Sequence, residues 1–221
     1  MHDSVAMARG LKEAGFKHVF ATPHLPWGSA TVDIADFRTR AELLIDAVSS
    51  EEPDFGLSLA AEHFSDLVPE LLSQDSLICY PRGDTFLMEF PLSGYPPRLQ
   101  DLLFMLQVKK KIPVIAHIER YPDVQQDPSA VEQLKERGCY LLVNLSGLAG
   151  AWSKAAQKTA VELVKAGQID AATTDLHNFE GLEDVKEGIR VLTELVGAKV
   201  ATDMLEATPA EIAGIKPGKG V

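Results

Sequence analysis

The chain has 221 residues, 46% of them hydrophobic, enough for one domain with a sizeable core. Its formal charge is −11 and its pI is near 5.0, which argues against a broad surface for nucleic acid or anionic membrane, since either needs clustered Lys and Arg. A small local pocket for one phosphate is compatible with that balance, and no run approaches the roughly eighteen apolar residues of a membrane span.

A first helix runs from a cap at Asp3 or Ser4 to Gly15, and the apolar run HVFAT (18–22) predicts a strand. A helix over 33–49 puts Phe37, Leu44, Ile45 and Val48 on one face. LSLAA (57–61) and TFLMEF (85–90) are the next strands. A helix over 97–110 turns Leu99, Leu102, Leu103 and Leu106 inward, and the strand IPVIAH (112–117) follows. A helix over 128–137 ends at Gly138 and leads into CYLLVN (139–144); one over 153–166 ends at Gly167 and leads into IDAATT (169–174). These glycines suit left-handed residues just past a helix end. A helix over 183–196 ends at Gly197. AKVAT (198–202) then reads as a closing strand or irregular segment, and Thr208-Pro-Ala-Glu211 as the capping box of a short last helix. The strand runs are near-continuous rather than alternating, which suits a parallel sheet buried on both faces. Strand and helix alternate about seven times, which predicts a closed or nearly closed (β/α) barrel as a single domain over 1–221, with an open doubly wound sheet as the alternative.

The strand ends carry the chemistry. They offer His24 (ATPH), Glu62 (AAEH), Glu89 (LMEF), His117 (IAHIERY), Asn144, and Asp175 with His177 (TTDLHN). Taken singly, a strand-end His reads as hydrogen-bonded structure and a Glu as a helix N-terminal charge. In a barrel, however, all would surround one mouth. Carboxylates gathered there without cations repel one another and lose hydration, a cost that divalent ions remove. Mixed His and carboxylate donors suit Mn, Fe or Zn better than Mg or Ca, and so many ligands allow more than one ion. Arg120, three residues past His117, is suited to a phosphate oxygen; its bland alternative is a salt bridge with Glu119 or Asp123. Metal-assisted phosphoester hydrolysis follows, with amide or ester hydrolysis at a dinuclear site still open. Glu119 alternates away from His117 and reads as an orienting or salt-bridge partner. His63 and His18 read as structural, and Trp27 and Trp152 only as packing.

Thiol and serine chemistry fit less well. Cys79 and Cys139 form no CxxC motif, Cys79-Tyr-Pro-Arg82 has the wrong spacing for a Cys-x5-Arg loop, and there is no G-x-S-x-G elbow. Cys139 reads as a buried thiol. The opening MHDSVAMARG has no basic-then-apolar signal pattern, so a cytoplasmic location is expected.

ATPH, the Glu62 of AAEH, LMEFP, IAHIERYP and TTDLHN resemble, in order, the motifs of the PHP (polymerase and histidinol phosphatase) superfamily. Within it they look most like the bacterial manganese-dependent protein-tyrosine phosphatases of capsule and exopolysaccharide clusters. The resemblance implies a distorted (β/α)7 TIM-like barrel with a trinuclear Mn²⁺ centre, Fe or Zn being possible. It implies His24, Glu62, Glu89, His117, Asp175 and His177 as metal ligands, with Glu89 bridging. Arg120 would bind phosphate and, with His117 and Asp175, act catalytically beside an attacking metal-bound hydroxide. The partner would be a phosphotyrosine protein, a tyrosine autokinase of polysaccharide export; neither nucleic acid nor membrane insertion is expected. Two departures stand out. The family opens with a strand carrying D-x-H-x-H, whereas SVAMA already matches its first helix, so the reading expects a missing first strand and three missing ligands. A misassigned start codon or a truncation would explain that, and would leave incomplete metal occupancy and impaired activity. The second departure is that TTDLHNFEGLEDV lacks an Arg that the family usually has there. Two other functions compete: a small-molecule phosphatase acting on histidinol phosphate or nucleotides, and an inactive phosphotyrosine-binding remnant.

Overall fold

The structure is a computed structural model and describes residues 2–25 and 34–216. Two parallel sheets run through it. The smaller pairs β1 (His18–Ala21) with β2 (Gly56–Leu59). The larger has β3 (Glu62–Phe64), β4 (Thr85–Glu89), β5 (Ile112–Ile115), β6 (Tyr140–Asn144) and β7 (Ala171–Thr173) side by side in chain order. The chain after β1 joins the two. Ala60 N–H donates to Ala21 O, Glu62 N–H to Pro23 O and Leu25 N–H to Glu62 O, and His24 and Glu62 form an isolated parallel bridge. All six predicted strand runs up to 174 contribute strands. The predicted run 57–61 stops as a strand at Leu59, however, with β3 opening separately at Glu62, and a closed barrel is not evident from the pairing.

Helices occupy the crossovers: α1 (His2–Glu13), α2 (Ile34–Glu51), α3 (Val68–Ser73), α4 (Leu99–Val108), α5 (Pro122–Gln126), α6 (Glu132–Glu136), α7 (Leu145–Ala149), α8 (Lys154–Lys165) and α9 (Leu182–Val196). Ser153 caps α8 by accepting Ala156 N–H. Gly138 and Gly167 adopt φ of 79° and 66° as expected, and the following N–H groups of Cys139 and Gln168 close back to Leu134 O and Leu163 O. The predicted helix over 128–137 is instead a 3₁₀ turn, Pro128–Val131, followed by α6.

AKVAT is corrected by the structure. It forms α10 (Ala198–Thr202), which continues through a π-turn, Asp203–Ala207, into α11 (Thr208–Ala213). Thr208 therefore has helical backbone angles and makes no capping box. Ala201 and Met204 are buried, so this segment is held by packing rather than by strand pairing. The wide π-turn lies just before Pro209, whose ring and missing N–H would interrupt a regular ladder.

Strand alternation separates two apolar layers. Phe86, Met88, Ile115, Leu141 and Val143 point toward the outer helices, packing with Leu103, Leu106, Leu134, Leu163 and Val185. Leu87, Val114, Ala116, Leu142 and Ala171 point the other way, toward Tyr80, Ile212 and Ala213 of the last helix. Thr85 Oγ1 fixes that helix by donating to Ile212 O at 2.6 Å. The inner layer borders a cavity of about 1080 Å³. Among the described residues, no helix is long and apolar enough to cross a membrane.

Candidate metal centre

The predicted ligands lie at or just beyond strand ends, and His24, Glu62, His117, Asp175 and His177 line the cavity. Glu89 is the last residue of β4 and shares the inward face of Leu87; Glu62 opens β3. Both are buried, as is His117, while His24 and His177 are about half exposed at the mouth. The bridge to Glu62 sets His24 in place. His117 follows β5 with φ 35° and ψ 53°, and Asp175 follows β7 with φ 45°. Such left-handed backbone is uncommon for residues with a Cβ and is typical of functional sites.

Two imidazoles flank two carboxylates. His24 Nδ1 lies 3.4 Å from Glu62 Oε2 and 3.0 Å from Glu89 Oε1. His117 Nε2 lies 3.4 Å from Glu62 Oε1 and 3.5 Å from Glu89 Oε2. Each carboxylate thus presents one oxygen to each imidazole. Burial opposes charge on His117, but hydrogen bonds to Glu62 and Glu89, with the charge of Glu62, outweigh it and raise its pKa to about 9. Asp175 and His177 form a second pair. His177 Nδ1 is 2.8 Å from the Asp175 carbonyl and 3.7 Å from its Oδ1, and the His24 and His177 rings are 6.4 Å apart.

This donor set fits a divalent ion. Ligand atoms of His24, Glu62 and Glu89 all lie within 4.8 Å of one another. Glu89 Oε1 and His117 Nδ1 are buried without a hydrogen bond, the short His24 approach lacking the right alignment. Buried polar atoms of this kind are costly unless something binds them.

Arg120 forms neither predicted salt bridge. Its guanidinium lies over the Trp152 ring, 4.2 Å from the centroid, and Trp152 Nε1 donates to Ser146 Oγ. Asp123 instead accepts the Tyr95 N–H. Trp152 thus has a place beside the site that its sequence context did not signal; Trp27 lies outside the described residues. Glu119 is fully buried, and burial raises its carboxyl pKa to about 7 against its hydrogen bonds and the neighbouring His117 and Arg120. It makes no ion pair among the described residues; its Oε1 accepts the Asn144 N–H at 3.3 Å. Asn144 was visible in sequence only as a strand end, yet its side chain reaches Asp175.

His63 and His18 are structural, as expected. His63 Nδ1 must donate to Leu87 O, because a carbonyl only accepts, and Nε2 accepts the Ile78 N–H. His18 Nε2 is 2.8 Å from Ser58 Oγ, away from the mouth. Both cysteines are free, and Cys139 is buried.

Comparison with known proteins adds a second line. The sequence model for "Capsular polysaccharide synthesis, CpsB/CapC" matches residues 1–213. Tyrosine-protein phosphatase YwqE of Bacillus subtilis (strain 168) is 28% identical over 200 residues, covering 90% of this chain and 79% of that protein. Tyrosine-protein phosphatase CpsB of Streptococcus pneumoniae is 26% identical over 106 residues, or 45% of this chain and 44% of CpsB. A crystal structure from a study of YwqE and CpsB, described as metal-dependent tyrosine phosphatases, superposes with a TM-score of 0.86. It is 27% identical in sequence, and the match covers 98% of this chain and 88% of that one.

Proposed function

The chain belongs to the capsular polysaccharide synthesis CpsB/CapC family, and from that premise we propose that it is a metal-dependent tyrosine-protein phosphatase. The observation that carries this reading is the buried pair Glu62 and Glu89, each shared between His24 and His117. The proposed ligands are these four together with Asp175 and His177. When bound, divalent ions, Mn²⁺ foremost with Fe or Zn as alternatives, would offset phosphate charge and lower the pKa of a water.

The chain's own groups supply the rest. Glu62, Glu89 and His117 form a buried floor that excludes bulk water, and His24 and His177 border the entrance. Arg120, stacked on Trp152, is the proposed contact to the non-bridging phosphate oxygens, for which a planar guanidinium is suited. A tyrosinate leaving group, with a pKa of about 10, needs little proton donation. The proposed substrate is a phosphotyrosine protein, an autokinase of polysaccharide export. The proposed architecture is a distorted PHP-type barrel of which the two sheets are parts, a reading supported by the bridge between His24 and Glu62. The relatives are named for tyrosine phosphatase activity, which favours neither a small-molecule phosphatase nor an inactive remnant.

The test is phosphate release from a phosphotyrosine peptide in Mn²⁺, with histidinol phosphate as the competing substrate. Turnover of the peptide should be lost in EDTA and in His117→Ala, and Arg120→Ala should lower kcat/KM about 100-fold. Activity that survives both EDTA and His117→Ala would refute the mechanism, and preference for histidinol phosphate would reassign the substrate.

A further inference from the structure

Asn144 ends β6 fully buried, on the inward face it shares with Leu142. Its side-chain Nδ2 donates to Asp175 Oδ2 at 2.7 Å. Turned over, the amide would set its oxygen against a carboxylate oxygen, so the chemistry of the pair fixes which end faces Asp175. The other carboxylate oxygen, Oδ1, is the one that faces His177 Nδ1. Asp175 also has left-handed backbone, so the regular strand geometry before it does not direct its side chain.

Asn144 is held from behind. Its backbone N–H donates to Glu119 Oε1. Glu119 is itself buried against Gly147, where a Cβ would come within 2.5 Å of the same oxygen. A line of contacts therefore runs from Gly147 through Glu119 and Asn144 to one oxygen of Asp175. Gly147, Glu119 and Asn144 are all buried, whereas His24 and His177 at the mouth are half exposed.

We propose that Asn144 is a positioning residue of this centre, its side-chain amide holding Asp175 Oδ2 so that Oδ1 is presented on the His177 side of the mouth. The inference rests on the divalent-metal reading above. Groups that orient a ligand in this way typically alter metal affinity about 10- to 100-fold.

The test titrates Mn²⁺ into the full chain by calorimetry, for wild type, Asn144→Ala, Asp175→Asn and the double variant, with Mn²⁺ EPR spectra at saturation. Asn144→Ala should weaken Mn²⁺ binding about 10-fold or more and change the EPR spectrum. In the Asp175→Asn background the same substitution should weaken binding little further, because the group it orients is already altered. A purely packing role would instead lower the thermal midpoint of the metal-free chain and leave affinity and spectrum alone. If Asn144→Ala does not fold, Asn144→Ser replaces it, its side chain being too short to keep the 2.7 Å contact. If Asp175→Asn takes up no Mn²⁺, the single Asn144 variants decide. Wild-type uptake with unchanged affinity and spectrum in the Asn144 variants overturns this inference alone. A wild-type chain that takes up no Mn²⁺ overturns the metal reading and this inference with it.

Discussion

His63 and His117 both lie in or just beyond the larger sheet, both are buried, and burial disfavours charge on each. Their partners decide the outcome. His117 faces two carboxylates and is raised, whereas His63 faces a carbonyl and an amide N–H and is lowered to about 4. Protonated His63 would have to abandon the Ile78 N–H. The unfolded chain takes up a proton near pH 6.5 and the folded chain resists it until about pH 4. The stabilisation from neutral His63 is therefore present above pH 6.5 and lost as pH falls through 4. It amounts to roughly 3 kcal/mol, at 1.36 kcal/mol per pKa unit. Urea unfolding of wild type and His63→Gln at a series of pH values checks this: the wild type should lose that much more stability between pH 6.5 and 4. Parallel losses in both chains would remove the role. The sequence placed His63 correctly because strand alternation sets it opposite Glu62. It did not foretell Glu119 as a buried carboxyl or Arg120 on Trp152, since both depend on contacts between β5, β6 and the segment after α7, which no local pattern encodes.

At the scale of elements, the same strand ends are set by how closely helices approach. A Cβ at Gly188 in α9 would fall 2.2 Å from the carbonyl oxygen of Leu145 and 2.5 Å from its carbon, so α9 crosses α7 backbone to side. Leu145 directly follows Asn144, and this crossing thereby fixes the end of β6. Gly10 in α1 makes an instructive contrast: its Cβ would meet only the end of the Leu182 side chain, which can rotate away. Gly188→Ala should therefore cost about 3 kcal/mol through a backbone clash that cannot relax cheaply. Gly10→Ala should cost less, its strain being offset by the gain in helix propensity of about 1 kcal/mol. Denaturation midpoints of the two variants give the order, and equal losses would mean that α9 shifts freely over α7. Most helices and strands were readable because apolar spacing and end glycines act within one element. AKVAT was misread because its β-branched residues suit a strand, whereas its partners, buried around Ala201 and Met204, come from elsewhere in the fold. The break between β2 and β3 was equally hidden, because Ala60 and Ala61, the two residues that form it, are themselves buried and apolar.

At the scale of the whole molecule, two carboxylates buried in a protein of net charge −11 make the cavity floor a stability problem. Glu62 and Glu89 are buried side by side, and among the described residues the imidazoles set against both of them are those of His24 and His117. Without metal, two buried carboxylates repel and forgo hydration. A divalent ion that binds only the folded chain stabilises it by RT ln(1 + [L]/Kd), about 2.7 kcal/mol at one hundred times Kd. Glu89→Gln separates the two effects because it keeps the shape and removes one charge. In EDTA the variant should melt at or above the wild-type temperature, since a repulsion is gone. In saturating Mn²⁺ the order should reverse, because the wild type gains the binding energy and the variant loses most of it. Thermal melts of both chains with and without Mn²⁺ measure this directly. A variant that is less stable in EDTA and equally stabilised by Mn²⁺ would mean that Glu89 supports the fold and does not hold the ion.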